Sequence, residues 1–365
     1  MKMRLRSRVP IALLAALTAV GVLASCSRAS ETPTAGSSGS GGATSPAAEL
    51  RLGYFPNITH APALIGVDKG LIAGELGSTK LTTQTFNAGP DEVNALLGGS
   101  LDAGFIGSSP AINAFAKSQG QAIRLIAGST SGGAQLVVSK DITTPDQLKG
   151  KTIATPQLGN TQDVALKKWL DENNLEIGQG PDKVTVQNLD NPRTLDLFKT
   201  GQVAGGWLPE PWSSRLVDAG ASVLVDERTL WPNGQFPTTV LIVRTEFLQQ
   251  HPETVEALLR GEQKAIDYIA SDPAGAKTAS NDSIKKLTGS ALAPTVVDRA
   301  FTELSFGLDP LAATFPQLAK DSVTAGAQQQ ETNLQGFLDV TSVNKVLQAA
   351  GKPPVDAAGL DKPAG

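Results

Sequence analysis

Short apolar segments alternate with amphipathic ones through the first half of the body of this chain. Residues 50–55, 81–86 and 101–106 have the length and composition of β-strands. Between them, residues 62–68 and 89–99 repeat apolar positions at helical spacing and carry Pro near the start and Gly at the end. This alternation predicts an α/β fold with mostly parallel sheets flanked by helices.

The pattern changes after residue 245, where the segments 253–270 and 296–304 predict longer helices. A strand at 239–243 precedes them, and the hydroxyl-rich segment 129–133 predicts a turn between two apolar stretches. We therefore expect two lobes, with the chain crossing between them twice. The predicted bounds are 49–133 plus 236–350 for lobe one with its helical C-terminal part, 134–235 for lobe two, and 351–365 for a tail.

A weak internal repeat supports two similar lobes. Residues 95–110 align without gaps on residues 196–211. Both segments contain the end of a helix, a glycine-bearing turn, a short strand with Ala-Gly, and an acceptor side chain before a proline, Ser109-Pro110 or Glu210-Pro211. The similarity either marks a repeat or reflects the common sequence pattern of strand–helix units. A true repeat would place a helix start at the same point of each lobe.

The N-terminal segment has the features of a secretory signal. A basic stretch and an apolar run at 11–23 precede Leu23-Ala24-Ser25-Cys26, and the run is too short to span a bilayer. The tetrapeptide resembles the bacterial lipobox, which implies cleavage after residue 25 and lipidation of Cys26. The alternative is an ordinary signal peptide with a chance cysteine. Residues 26–48, rich in Ser, Gly, Thr and Ala, predict a flexible linker.

Composition narrows the possible partners. Without residues 1–25 the chain keeps 27 of its 31 Lys and Arg beside 35 Asp and Glu, a net charge of −8. An acidic surface argues against a nucleic-acid partner. The single cysteine, Cys26, leaves no disulfide to stabilise the fold.

Polar side chains concentrate where predicted strands lead into helices. The turns at 56–62, 107–110 and 157–163, together with 129–133, are rich in hydroxyl and amide groups and poor in Lys and Arg. Ligands of open α/β sheets bind beyond the carboxyl ends of strands, where helix N-termini favour anions. The turns therefore predict an anion held by neutral donors. Taken singly, Ser109, Asn160 and Glu210 also suit helix capping.

Several of these segments, taken in order, resemble the solute-binding proteins of ABC importers, closest to the aliphatic sulfonate, nitrate and taurine branch. They are GYFPNITHAPA (53–63), FNAGP (86–90), IGSSPA (106–111), LKGKTIA (148–154) and QLGNTQD (157–163). The resemblance covers about residues 50–243 well. It implies a two-lobed periplasmic-binding-protein fold of type II that closes on a small solute and delivers it to a membrane permease.

The resemblance also implies which residues contact the solute. Ligand contacts in this family come from the strand–helix loops, which correspond here to Asn57, Thr59, His60, Ser108, Ser109, Ser131, Gly132, Gln157, Asn160, Thr161 and Trp212. Glu210 either caps a helix or binds the ammonium group of a taurine-like ligand. Core packing is the expected role of Trp207, because it lies inside a predicted strand.

The sequence therefore predicts an exported, monomeric solute-binding protein that is lipid-anchored at the outer face of the cell membrane or in the periplasm. Its expected partners are a small anion, such as an aliphatic sulfonate, and the permease subunits. Nitrate, taurine, a thiamine-precursor pyrimidine or another aromatic solute, and a sensor role, remain alternatives. No enzyme activity, metal or cofactor is expected, because the chain contains only His60 and His251 and lacks HExxH, Gly-x-Ser-x-Gly and Walker motifs.

Overall fold

The computed structural model describes residues 45–362. The predicted signal peptide, Cys26 and all but the last few residues of the predicted linker lie outside this range, as do residues 363–365. Among the helices within it, none is both long and apolar enough to cross a membrane.

The described strands form two sheets. The strands are β1 (Glu49–Tyr54), β2 (Lys80–Thr85), β3 (Ala103–Ile106), β4 (Ile123–Gly132), β5 (Ala134–Ser139), β6 (Thr152–Thr155), β7 (Thr185–Asn188), β8 (Gly205–Pro209), β9 (Ala221–Asp226), β10 (Pro237–Arg244) and β11 (Leu304–Phe306). The first sheet has the order β11-β4-β10-β3-β1-β2, and the second has the order β7-β6-β8-β5-β9.

Helices cover both sheets, which confirms the predicted α/β class. They are α1 (Ala61–Asp68), α2 (Leu71–Leu76), α3 (Gly89–Leu97), α4 (Ser108–Lys117), α5 (Thr161–Glu172), α6 (Asn191–Lys199), α7 (Trp212–Asp218), α8 (Thr245–Gln250), α9 (Pro252–Ser271), α10 (Pro273–Thr288), α11 (Pro294–Thr302), α12 (Phe315–Thr324) and α13 (Thr341–Ala349). Short 3₁₀ turns occupy residues 58–60, 145–148, 227–230, 232–234 and 312–314.

The expectation of mostly parallel sheets was wrong. Parallel pairing joins β1 to β2 and β3, and β6 to β7 and β8. In the first sheet, however, β10 lies antiparallel between β3 and β4, and in the second β5 lies antiparallel between β8 and β9. Both inserted strands arrive from the other sheet rather than through the helical crossover that parallel neighbours require, so they run against the strands beside them.

The internal repeat is confirmed by the topology. Each sheet begins with three parallel strands in the same spatial order, β2-β1-β3 in the first and β7-β6-β8 in the second, followed by an inserted strand and one further strand, and the first sheet adds β11 at its edge. The aligned segments 95–110 and 196–211 contain the equivalent strands β3 and β8. The turns after these two strands therefore occupy equivalent positions.

The crossing between the sheets differs from the predicted turn at 129–133. Residues 129–132 belong to β4, paired with β10 and β11, and only Gly133 separates β4 of the first sheet from β5 of the second. Gly132 has a φ of 82°, and a Cβ there would lie 2.6 Å from the carbonyl oxygen of Glu303. Glycine therefore lets the chain turn sharply against α11.

The C-terminal part also departs from the prediction. The segment 296–304 is helical only to Thr302, and Leu304 begins β11, which pairs with β4. Residues beyond 350 pack back on the body: the Leu338 N–H donates to the Leu360 carbonyl at 3.2 Å, and Ala357 is buried.

Each sheet has its own apolar core. The first contains Phe105, Phe115 and Phe337, and the second is built around Trp169 and Trp207, whose ring centroids lie 6.2 Å apart. The core role expected for Trp207 is confirmed by its full burial. The division into two lobes that move against each other stays a prediction.

Candidate ligand site between the two sheets

The starts of α4 and α5 face each other across the space between the sheets. Gly107, just before α4, is so close to α5 that a Cβ there would lie 2.4 Å from the Thr161 Oγ1 atom. Its φ of −69° is open to any residue, so the close approach rather than the backbone angle requires glycine. A small cavity of about 20 Å³ lies at this meeting point.

The wall of this cavity is polar but carries no formal charge at neutral pH. It consists of Phe55, Asn57, Thr59, His60, Asn87, Gly107, Asn160, Thr161, Gln162, Asn191, Pro209, Thr238 and Thr239. In the part of the chain that the structure describes, no group of three His, Cys, Asp or Glu side chains is arranged to hold a metal ion.

Four buried polar atoms around the facing helix starts have no hydrogen-bond partner within residues 45–362. They are the hydroxyl oxygens of Ser108, Ser109 and Thr161 and the Asn191 Oδ1 atom. A buried polar group that stays unpaired costs stability, about 1–3 kcal/mol. Such a concentration is unfavourable for folding alone, and it leaves donors and acceptors free for a bound molecule.

The capping roles considered for these residues are only partly realised. Asn160 precedes α5 without a side-chain cap hydrogen bond, and Ser109 lies inside the first turn of α4 with its hydroxyl unpaired. Glu210 does accept a hydrogen bond from the Ser214 N–H at 3.2 Å, at the start of α7.

His60 contributes a neutral ring to the cavity. Its Nδ1 accepts a hydrogen bond from the Phe55 N–H at 3.3 Å, which leaves the proton of the neutral imidazole on Nε2. Burial lowers the pKa of His60 to about 3, so the ring is uncharged at neutral pH. Nε2–H has no acceptor among the described residues and is available as a donor.

Hydrogen bonds across the space join loops of the two sheets. The Trp212 indole N–H donates to Asn57 Oδ1 at 2.9 Å, and Gln157 Nε2–H donates to Asp91 Oδ2 at 3.0 Å. The Thr59 N–H donates to the Glu210 carbonyl oxygen at 3.4 Å. The contacts of Trp212 and Thr59 hold the first-sheet loop at 57–60 against the second-sheet turn at 210–212, and the Gln157–Asp91 bond joins the loop before α5 to α3.

The Glu210 side chain lies outside the cavity wall. Its fully buried carboxylate pairs with the Arg299 guanidinium at 2.9 Å, and Arg299 also donates to the Ser214 hydroxyl and to Gln135. Burial raises the pKa of Glu210, an effect opposed by Ser213, Ser214 and Arg299. Sequence reasoning missed Arg299, which lies 89 residues from its partner with no local signal.

The structure brings some of the sequence-predicted residues together and separates others. Asn57, Thr59, His60, Asn160 and Thr161 line the cavity, and Ser108 and Ser109 follow Gly107 at its edge. Gln157 lies in the loop bonded to Asp91, and Trp212 lies on the outer side of Asn57.

Ser131 and Gly132 lie instead at the crossing between the sheets. The Ser131 hydroxyl accepts a hydrogen bond from the Phe236 N–H at 3.3 Å, and the Thr238 hydroxyl donates to the Gly132 carbonyl. Neither residue is part of the cavity wall.

Five polar residues of the wall were not among the predicted contacts: Asn87, Gln162, Asn191, Thr238 and Thr239. Asn87 follows β2, and Asn191 follows the equivalent strand β7, so the reasoning from strand ends would have found both. Thr238 and Thr239 lie on β10, whose insertion in the first sheet the local pattern did not reveal.

Comparison with known proteins now places this chain in a family. Residues 43–282 match the NMT1-like family. The chain belongs to that family. It is 28% identical over 305 residues to the taurine-binding periplasmic protein of Escherichia coli K12, covering 81% of this chain and 85% of that protein. This relative confirms the resemblance to solute-binding proteins.

Solved structures show the same fold. The alkanesulfonate-binding protein SsuA from Xanthomonas axonopodis pv. citri, bound to MOPS, superposes with a TM-score of 0.63 at 23% identity, covering 79% of this chain and 96% of that one. The nitrate-binding protein NrtA from Synechocystis PCC 6803 gives a TM-score of 0.68 at 15% identity, covering 84% and 90%. The predicted periplasmic-binding-protein fold is confirmed.

The NMT1-like match includes every residue of the cavity wall, because the last of them in the chain is Thr239. It ends before α11, so Arg299 lies outside the matched range. The cavity therefore belongs to the part of the chain that defines the family, whereas the partner of Glu210 comes from the C-terminal helices.

Proposed function

We propose that this protein is the extracytoplasmic solute-binding component of an ABC import system, which captures a small anion such as an aliphatic sulfonate and delivers it to permease subunits. The observation that carries the proposal is the group of four unpartnered buried polar atoms around the facing starts of α4 and α5. Unpaired N–H groups and the positive dipole end favour an anion at such helix starts. The taurine-binding relative and the structural neighbours named for binding alkanesulfonate and nitrate support it.

The chemistry of the wall favours a plain anion. With Glu210 paired to Arg299, the wall has no carboxylate to neutralise the ammonium group of taurine. A cavity of about 20 Å³ also suits a head group of a few atoms better than a pyrimidine ring. The solute-binding role is proposed in place of catalysis because the relatives compared above are binding proteins.

Isothermal titration calorimetry of the purified protein tests the ligand class. Ethanesulfonate, nitrate, taurine and a hydroxymethylpyrimidine form the panel, with ethylamine as a matched solute that has no anionic group. We expect ethanesulfonate to bind more tightly than taurine and ethylamine not to bind. Binding of the pyrimidine alone would overturn the proposal, and so would recovery of a chemically altered solute after incubation.

We also propose that the protein works as a monomer tethered at the outer face of the membrane, or in the periplasm, through lipid on Cys26. The lipobox-like tetrapeptide and the Ser- and Gly-rich linker support this proposal. The Cys26→Ser variant is expected to lose labelling by a fatty-acid probe and to keep its affinity for the solute. Labelling that persists in the variant would end the anchor proposal.

A closing motion completes the proposal. Lobe one would comprise 49–133 and 236–350, and lobe two 134–235, with the dihedral change absorbed at the two crossings between sheets. The short Gly132-Gly133 connection supports this boundary. Small-angle scattering should show a smaller radius of gyration with saturating solute. Identical profiles with and without a solute that binds would count against closure.

A further inference from the structure

A second crevice adjoins the candidate site on its outer side. It has a volume of about 260 Å³ and shares three of its residues, Asn57, Asn87 and Asn191, with the wall of the small cavity. First-sheet loops and the end of α10 form one side, and the starts of α6 and α7 form the other. The crevice therefore lies at the mouth of the same space between the sheets.

Most of the crevice is apolar. Pro56 and Phe86 contribute from the first-sheet loops, Pro192 and Trp212 from the second sheet, and Leu292 from the segment after α10. The hydrogen bond from the Trp212 indole to Asn57 fixes this aromatic ring where the two spaces meet. A short hydrocarbon chain leaving the small cavity between the asparagines would pass over these surfaces.

One cation faces this apolar crevice. The Arg215 guanidinium lies 4.4 Å from the centroid of the Trp212 ring, an arrangement that fixes the plane of the charged group. Its side chain makes no hydrogen bond to any described residue and has no carboxylate within 4.0 Å. Burial lowers the pKa of Arg215, and Asp196, too far away for an ion pair, acts in the opposite sense.

Arg299 in the same region provides a contrast, because its guanidinium donates to Glu210, Ser214 and Gln135. Arg215 is half-buried yet keeps its donors free. A guanidinium presents parallel N–H donors that match a carboxylate or sulfonate in a bidentate geometry. A second anionic group is therefore the chemistry that this position recognises.

We propose that the crevice is a second subsite, in which Arg215 and Trp212 bind the far end of an extended ligand that carries an acidic group. The inference rests on the proposed function, because the first anionic group of the ligand occupies the cavity at α4 and α5. The substrate class is then a short organic sulfonate with a carboxylate, or a second acidic group, at the other end of its chain.

Calorimetry with two ligands that differ only in this end group tests the subsite. Ethanesulfonate has an apolar end, and 3-sulfopropanoate extends the same chain by a carboxylate. The wild-type protein is expected to bind 3-sulfopropanoate about tenfold more tightly, as one charged hydrogen-bonded pair would give. Arg215→Gln should weaken 3-sulfopropanoate about tenfold more than it weakens ethanesulfonate, and Arg215→Lys should retain part of the preference.

Arg193→Gln is the matched control, because it removes the same charge from the neighbouring α6 at a residue outside the crevice wall. This variant should keep the wild-type preference. A wild-type protein that binds both ligands equally would overturn the subsite and leave the proposed function intact. Equal weakening of both ligands by Arg215→Gln would also overturn it, because Arg215 would then act on the first anionic group or on the fold. Failure of the wild type to bind either sulfonate would instead overturn the proposed function.

Discussion

The turns after β3 and β8 occupy equivalent places in the two sheets but have opposite chemistry. The first, at 107–109, places the unpaired hydroxyls of Ser108 and Ser109 beside the cavity. The second, at 210–211, buries the Glu210 carboxylate and pairs it with Arg299. One turn keeps its polar groups free, and the other uses its charge to hold the C-terminal helices.

This difference shows that two turns in equivalent positions of the fold need not have the same role in binding. The repeated topology brings a strand end and a helix start to the interface from each sheet, so geometry alone would make both turns candidates for ligand contact. Satisfied and unsatisfied hydrogen bonds distinguish them. The unpaired groups cost folding free energy, which a ligand can recover, whereas Arg299 compensates the charge that the fold buries at Glu210.

The largest expected effect is the loss of stability when the Glu210 partner is removed. Arg299→Met leaves a fully buried carboxylate without its cation, and we expect the free energy of unfolding to fall by about 3 kcal/mol at pH 7. Because burial raises the folded-state pKa of Glu210, this cost should be absent below its ordinary pKa and should grow as the pH rises. Urea unfolding at several pH values measures both.

Lys277→Met provides the control. It removes a cation of α10 from its ion pair with Asp298, the neighbour of Arg299 on α11, but the Asp298 carboxylate is 65% exposed and Lys277 is partly exposed. The expected loss is below about 1 kcal/mol. Equal losses in the two variants would show that burial of Glu210 has no special consequence, and the contrast between the turns would disappear.

The second-largest expected effect concerns the uncharged imidazole of His60, in the first-sheet loop at 57–60. The folded-state pKa of His60 is about 3 against 6.5 when unfolded, so the unfolded chain binds the proton first. Stability is fully present above pH 6.5 and is lost as the pH falls toward 3, by about 2 kcal/mol at pH 5. The His60→Asn variant has no ionisable side chain at this position, so it should not show this loss of stability at low pH. Parallel stability–pH curves for wild type and variant would contradict the prediction.

The local pattern of apolar and polar residues predicted the positions of strands and helices better than it predicted whether neighbouring strands run parallel or antiparallel. Strands at 50–55 and 81–86 were placed within one residue, because buried strands and amphipathic helices differ in period. The antiparallel insertion of β5 and β10 depends on where the chain crosses between sheets, which no local period encodes. The Ser- and Thr-rich segment 129–132 resembles a turn in composition, yet it lies in β4 between two other strands.

The candidate site was predictable to a similar degree and for similar reasons. Asn57, Thr59 and His60 follow a strand of the first sheet, and Asn160 and Thr161 follow a strand of the second. Ligands bind beyond such strand ends, so the sequence pointed to both groups as candidates, and both line the cavity. The position of Glu210 was predictable, but its pairing was not. Its partner comes from α11, and a contact across 89 residues leaves no trace in a single sequence.

The third-largest expected effect is a substitution that raises the stability of the ligand-free protein and lowers its affinity for the solute. Thr161→Val replaces an unpartnered buried hydroxyl by a methyl group of the same shape, so the ligand-free protein should melt at a higher temperature. The affinity for the proposed anion should fall about tenfold, because a hydrogen bond to a charged group is lost. Ser109→Ala should behave in the same way.

Thr194→Val is the matched control for this prediction. Thr194 is also buried, but its hydroxyl donates to the Asp190 carbonyl at 3.4 Å and it is not part of the cavity wall. Its replacement should lower the melting temperature slightly and leave the affinity unchanged. Unaltered affinity in both the Thr161 and Ser109 variants would remove these helix starts from the site.

The smallest expected effect tests whether the two turns act together when the solute binds. Trp212→Phe keeps an aromatic ring in the second-sheet turn but removes the N–H that donates to Asn57 at 2.9 Å. A neutral hydrogen bond contributes about 1 kcal/mol, so the affinity for ethanesulfonate should fall about fivefold through destabilisation of the closed arrangement. Asn57→Asp, which keeps the acceptor, should retain the contact but place a negative charge beside the anion and weaken it further. If Trp212→Phe binds ethanesulfonate as tightly as wild type while Asn57→Asp does not, the second-sheet turn at 210–212 would have no part in binding, and the Asn57 loop would contribute without its bond to Trp212.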